Sequence, residues 1–92
     1  MYRFEYDPRK AAINLRKHKV SFEEAASVFA DPLRSSVLDS DHSWEEQRFM
    51  MVGQSTRGRI LFLVYTETDS SVRLIGARIA TANERAQYEE IS

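Results

Sequence analysis

Three observations predict an α+β fold: a mainly antiparallel sheet of about five strands, an N-terminal helical hairpin and a C-terminal helix. The stretch from Gly58 to Ile79 is two β-rich runs around the polar link Thr68-Asp69-Ser70-Ser71, the pattern of an antiparallel hairpin. Ahead of it, two short amphipathic segments are separated by only His18-Lys19-Val20, as in an αα-hairpin that packs over a sheet. After it, Thr81-Ala82-Asn83-Glu84 is a capping box that starts a last helix. The element order is therefore β-α-α-β-β-β-β-α.

Each element has its own local reason. Tyr2-Arg3-Phe4-Glu5-Tyr6 alternates aromatic and charged residues, the period of a half-buried strand. Asp7-Pro8 supplies an N-cap and a first-turn proline for a helix running to about Lys17. On that helix Ala11, Ala12 and Leu15, extended by Ile13, are the expected core face. Lys10, Asn14, Lys17 and His18 form a second stripe whose donors suit phosphate. Ser21-Phe22-Glu23-Glu24 is a further capping box, and Phe22, Ala25, Ala26 and Phe29 follow the spacing of a buried helix face. Asp31-Pro32 stops the helix.

A short strand is expected over Arg34–Leu38, then a polar acidic loop over Asp39–Glu46 containing His42 and the only tryptophan, Trp44. Gln47–Val52 reads as another strand, closed by the breaker-rich turn from Gly53 to Gly58. Ile60 to Tyr65 is apolar at every position, which predicts a central strand covered on both faces. Arg59 and Arg78 then fall at the same end of the hairpin. Arg78 also precedes the last helix, whose amide end favours an anion.

Composition narrows the function classes. The 92 residues suit one domain, 1–92, with a modest core. The absence of cysteine excludes disulfides and thiolate metal sites, and two distant histidines make a weak metal ligand set. No cofactor is expected. No apolar run approaches the roughly 20 residues of a membrane span and no leader pattern opens the chain, so a cytoplasmic location is expected. The net charge of −1 hides basic segments at 1–20 and 48–80 around an acidic one at 21–47, a distribution suited to a polyanion. Solvated, mutually neutralising faces would give the same composition. His18 is a candidate general acid or base, because histidine exchanges protons near neutral pH.

The motifs also resemble a known family. Phe4-Glu5-Tyr6-Asp7-Pro8, Lys10, Asn14, Lys17-His18, Val20-Ser21-Phe22-Glu23-Glu24-Ala25, Val28-Phe29 and Asp31-Pro32 resemble the opening of the BrnT toxins. Glu46, Arg48, Gly53-Gln54-Ser55, Gly58-Arg59, Val64-Tyr65-Thr66-Glu67, Arg73 to Arg78, Ala80-Thr81, Glu84-Arg85 and Tyr88 continue the resemblance in order. It implies a RelE-like fold and a bacterial type II toxin that cleaves RNA without a metal. It also implies inhibition by a BrnA-type antitoxin, through which alone the toxin meets operator DNA. On that resemblance Arg59 and Arg78 would hold the phosphate, and Lys17, His18 and Arg85 would transfer protons or stabilise charge. Lys10, Asn14 and Arg48 would contact RNA. The chain departs from the family pattern at Lys19 (usually glycine), Thr68 (commonly arginine) and Gly76 (usually serine). The competing reading is a non-enzymatic module that binds a DNA-binding repressor.

Overall fold

The computed structural model describes residues 2–42 and 46–91. The elements are β1 (Arg3–Glu5), α1 (Pro8–His18), α2 (Phe22–Ser27), β2 (Ser35–Leu38), β3 (Arg48–Gln54), β4 (Ile60–Glu67), β5 (Ser71–Ile79) and α3 (Ala82–Ile91). Single 3-10 turns, Val28–Ala30 and Ser40–His42, follow α2 and β2. Trp44, in the expected acidic loop, lies outside the described residues. Among the described residues, no helix is long and apolar enough to cross a membrane.

One five-stranded sheet runs in the order β1-β5-β4-β3-β2. The four strands β2 to β5 are antiparallel neighbours, and β1 adds to β5 in parallel. The α1–α2 hairpin therefore carries the chain from one edge of the sheet to the other. It lays Val20, Phe22, Ala25, Val28 and Phe29 against Met51, Leu61, Leu63, Tyr65, Val72, Leu74 and Ala77. Edge-to-face rings extend this core: Phe29 stands 5.1 Å from Phe4 and 5.0 Å from Tyr65 between centroids. Gly53 lets β3 pass close under the Val28–Ala30 turn, because a Cβ there would come within 2.6 Å of Val28 Cγ1.

The opposite face corrects one expectation. Ile60, Phe62 and Val64 are only half-buried, because α3 covers part of that face and leaves a groove lined by Val37, Met50, Val52 and Phe62. The apolar run of β4 marks its central position, between β3 and β5, rather than two complete layers.

Helix α1 packs Ala11 against the core as expected but is turned so that Ala12 and Leu15 face outward. Ile13 and Leu15 are 56% and 49% exposed, whereas Asn14 is only 8% exposed. The Asn14 amide donates to the carbonyls of Val20 at 3.0 Å and Ala77 at 2.9 Å, and its Oδ1 accepts from Ala77 N. Three bonds to backbone that would otherwise lack partners fix the inward face more strongly than two aliphatic side chains. Both hydrogens of the amide are thereby engaged, so Asn14 does not present them to RNA. Its place is a clasp between α1, the α1–α2 link and β5.

Lys19 ends α1 at φ 60°, ψ 31°, and its amide donates to Leu15 O. It holds the left-handed cap that glycine ordinarily fills, and it is the only described non-glycine residue with positive φ. Replacing it by glycine relieves that strain. Lys19→Gly is expected to raise unfolding free energy by about 1 kcal/mol, read as a thermal midpoint roughly 4–8 °C higher.

A cationic cleft at the end of the central hairpin

The end of the sheet near Arg59 is built on the turn between β3 and β4. Ser55 to Gly58 closes with Gly58 N bonded to Ser55 O at 2.9 Å, and Ser55 N bonded to Arg59 O at 2.8 Å. Gly58 takes φ +82°, the left-handed residue that follows such a turn in a hairpin. Ser27 Oγ accepts from Thr56 N at 3.0 Å, which ties the turn to α2.

Glu24 lies beneath this turn. Ser21 Oγ accepts from Glu24 N, so the forward half of the predicted capping box forms. The carboxylate, however, turns into the protein, where it is 3% exposed. Its Oε2 accepts from Ser55 Oγ at 2.7 Å and from Arg59 Nε at 2.9 Å, while Oε1 takes the Nη2 of Arg59. Arg59 Nη2 also donates to the carbonyl of Lys19 at 2.9 Å. The bonds from Arg59, with Ser55 and Arg57 adding to them, hold the Glu24 carboxyl below the usual range against the opposing effect of burial. Glu24 in turn raises the pKa of Arg59.

Arg59 also lines a cleft of about 550 Å³ with Gln54, Gly58, Ile60, Ile79, Arg85, Tyr88 and Glu89. Two predicted residues, Arg59 and Arg85, are thus brought together. Lys17 and His18 close α1 immediately before Lys19, whose carbonyl Arg59 holds, so they stand at the same end of the molecule.

Arg78 goes elsewhere. On β5 opposite Phe62, it lies with its guanidinium carbon 4.1 Å from the Phe62 ring centroid, on the face away from α2. Both its terminal nitrogens meet Glu84, at 2.9 and 3.0 Å. Glu84 also completes the second capping box, accepting from Thr81 N at 2.9 Å while its own N–H donates to Thr81 Oγ1. Arg78, with burial opposing, holds the Glu84 carboxyl low. The sequence correctly places Arg59 and Arg78 at one end of the hairpin, but their side chains engage different carboxylates on opposite faces of the sheet.

Lys10 and Arg48 come together in a notch with Asp7, Glu46, Arg73, Leu74 and Ile75. Arg48 and Arg73 face Thr66 from either side in the sheet register. Thr68 is in the β4–β5 link, far from Arg59, where its hydroxyl pairs with Ser71 Oγ at 2.9 Å. A Cβ on Gly76 would meet Asn14 Oδ1 at 3.9 Å, an ordinary contact, so the serine usual there would fit.

Two features escape the sequence reading. Glu24 has a complete explanation as a capping residue, which hides its role as the counter-ion of Arg59. Asp31 has one as a helix stop, yet it accepts from Gln54 N at 2.8 Å and from the Tyr88 hydroxyl at 2.5 Å, fastening α3 to the body. Burial and Asp31 push Tyr88 up to about 12. The signal available in the sequence was Arg57-Gly58-Arg59, two cations around a turn glycine with no nearby acid to neutralise them. Among the described residues, no group of three or more His, Asp or Glu could hold a metal ion.

The lowered carboxylates fix the direction of pH dependence. The stability they contribute is fully present above their ordinary values, 4.5 for Glu24 and Glu84, and is lost as pH falls through the lower folded values. Unfolding free energy from urea titrations should therefore decline steadily below pH 4.5. Glu24→Gln should lower it by roughly 2–3 kcal/mol at neutral pH and flatten the acid decline.

Comparison with known proteins bears on this geometry. Residues 6–84 match the family model described as the ribonuclease toxin, BrnT, of type II toxin-antitoxin systems. The chain is similar to the Brucella abortus ribonuclease toxin BrnT, known from a 1.1 Å crystal structure. The two share 17% identity at a TM-score of 0.63, over 88% of this chain and 99% of that one. At that identity the likeness shows the fold: a five-stranded, mostly antiparallel sheet with two N-terminal helices and a C-terminal helix. Curated proteins provide no match.

Proposed function

The chain belongs to the BrnT family of ribonuclease toxins of type II toxin-antitoxin systems, and from that premise we propose that it cleaves RNA without a metal, in the cleft between the β3–β4 turn and α3. The observation that carries this reading is the convergence of Arg59 and Arg85 on one cleft. In the proposed reaction the ribose 2′-hydroxyl loses its proton and attacks the adjacent phosphorus. The bond to the 5′-oxygen breaks, that oxygen takes up a proton, and a 2′,3′-cyclic phosphate remains.

Negative charge grows on the phosphoryl oxygens during this step. Guanidinium groups already held in place stabilise it without reorganising. Arg59 fits this role because its bonds to Glu24 and Lys19 use Nε and Nη2, and the Nη1 hydrogens are the edge a phosphate would reach. Arg85, exposed on α3, supplies a second charge from the opposite wall. Lys17 and His18, at the C-terminal end of α1, supply proton transfer. Lys10 and Arg48, with Arg73, guide the RNA strand beyond the cleft. Arg78 enters as the clamp of the α3 N-terminus rather than as a second grip on the scissile phosphate. The natural inhibitor in this reading is a BrnA-type antitoxin, which also carries the contact with operator DNA.

A second reading has a specific observation in its favour. Arg59 and Arg78 are each already paired with an internal carboxylate, Glu24 and Glu84. A chain whose principal cations are neutralised in this way suits a binding module that only contacts its antitoxin.

One experiment separates the readings: purified protein incubated with single-stranded RNA in excess EDTA, beside Arg85→Ala. Arg85 is the informative position because its side chain is exposed, whereas removing Arg59 would leave Glu24 buried without its counter-ion. The native chain is expected to cleave with EDTA present, and Arg85→Ala to be slower by about 100-fold. Folded native protein that leaves RNA intact would favour the binding module; equal cleavage by both would place the site outside this cleft.

A further inference from the structure

We propose that Arg57 is a second phosphate-contacting residue, which grips the RNA backbone next to the scissile position. This rests on the cleft reading above and extends it to a residue that reading does not use. Arg57 lies at the third position of the Ser55–Gly58 turn, directly before the glycine and arginine that form the cleft wall. Its backbone is fixed: the amide donates to Ser55 Oγ at 3.2 Å, and the preceding amide, Thr56 N, is tied to Ser27.

The side chain is not fixed in the same way. Arg57 Nη1 lies 3.7 Å from Glu24 Oε1, and the side chain is 71% exposed. The same oxygen takes the Nη2 of Arg59. Two guanidiniums that share one carboxylate oxygen must be close neighbours, and one negative charge cannot neutralise both. Arg59 holds the carboxylate through Nε and Nη2 together; Arg57 meets it through one long contact. An exposed ion pair of that length contributes little, so exchanging the carboxylate for a phosphate costs Arg57 little. The pair thus divides the work: Arg59 is held rigid by Glu24, and Arg57, beside the cleft wall, supplies the more loosely paired charge.

The geometry suits a phosphodiester of single-stranded RNA. Its phosphates repeat along the strand, so one at Arg59 leaves a neighbour for Arg57. The contact would be to backbone, independent of sequence, and therefore salt-sensitive.

The test uses the full chain and a fluorescent single-stranded oligoribonucleotide with 2′-O-methyl groups, which lacks the attacking hydroxyl. Binding is measured over a salt series for native protein, Arg57→Ala, Arg57→Lys and Arg85→Ala. Loss of one phosphate contact should reduce the slope of log affinity against log salt by about 0.7 in Arg57→Ala. Arg57→Lys should keep the slope. With cleavable RNA, kcat/KM should fall about fivefold in Arg57→Ala, carried by KM. A native slope in Arg57→Ala would overturn the assignment and leave Arg57 as a counter-ion of Glu24 alone; so would a loss in kcat without a change in KM. If Arg85→Ala also binds and cleaves as the native chain does, the cleft reading itself falls. If Arg85→Ala is impaired and Arg57→Ala is not, only the role of Arg57 falls.

Discussion

The buried carboxylate of Glu24 stays ionised in a position almost closed to water because Arg59 meets it through two nitrogens and Ser55 through a hydroxyl. An unpaired carboxylate there would carry a desolvation penalty of several kcal/mol. The pair joins elements distant in sequence: α2, the β3–β4 turn and, through the Lys19 carbonyl, the end of α1. The geometry of the cleft wall follows from it. Arg59 cannot swing freely, and the turn that carries it is held by Thr56 to α2. The same contact that stabilises this end of the fold therefore sets a cation in place for the proposed chemistry.

The second carboxylate pair has a different consequence. Glu84 caps α3 and grips Arg78, which lies over Phe62, so α3 begins at a defined point on the exposed side of the sheet. Tyr88 then anchors the helix to Asp31 below the turn. With α3 tied down at Glu84 and Tyr88, Arg85 lies between them and faces the same cleft as Arg59. Glu24, Asp31 and Glu84 thus act as internal fasteners for arginines and helix ends.

Local chemistry was legible in the sequence. The Asp7-Pro8 start, the capping residues Ser21 and Thr81, the β4–β5 hairpin and the buried stripe Phe22, Ala25 and Phe29 all follow from short-range rules, and each is found. What depends on distant partners was not legible. Asn14 reads as an exposed donor until Ala77, far along the chain, supplies the carbonyl and amide that bury it. The parallel pairing of β1 with β5 leaves no mark in either strand. For the proposed site, the sequence singles out Arg59 and the resemblance adds Arg85, which line one cleft, but neither reveals that strand pleating turns Arg78 to the other face. Lys19 shows the converse case. A departure from glycine flagged the residue in the sequence, and it is the one described non-glycine position with positive φ.

Membership of the BrnT family gives the chain its class of activity, and the cleft at the end of the central hairpin gives that activity a proposed location. The most direct test maps contact rather than turnover: backbone amide shifts of isotope-labelled protein, titrated with a 2′-O-methyl oligoribonucleotide. The largest changes are expected at Gly58, Arg59, Ile79 and Arg85, with Glu24 responding through its bond to Arg59. Changes confined to Val37, Met50, Val52 and Phe62, on the exposed face of the sheet, with the cleft residues silent, would contradict the proposed location.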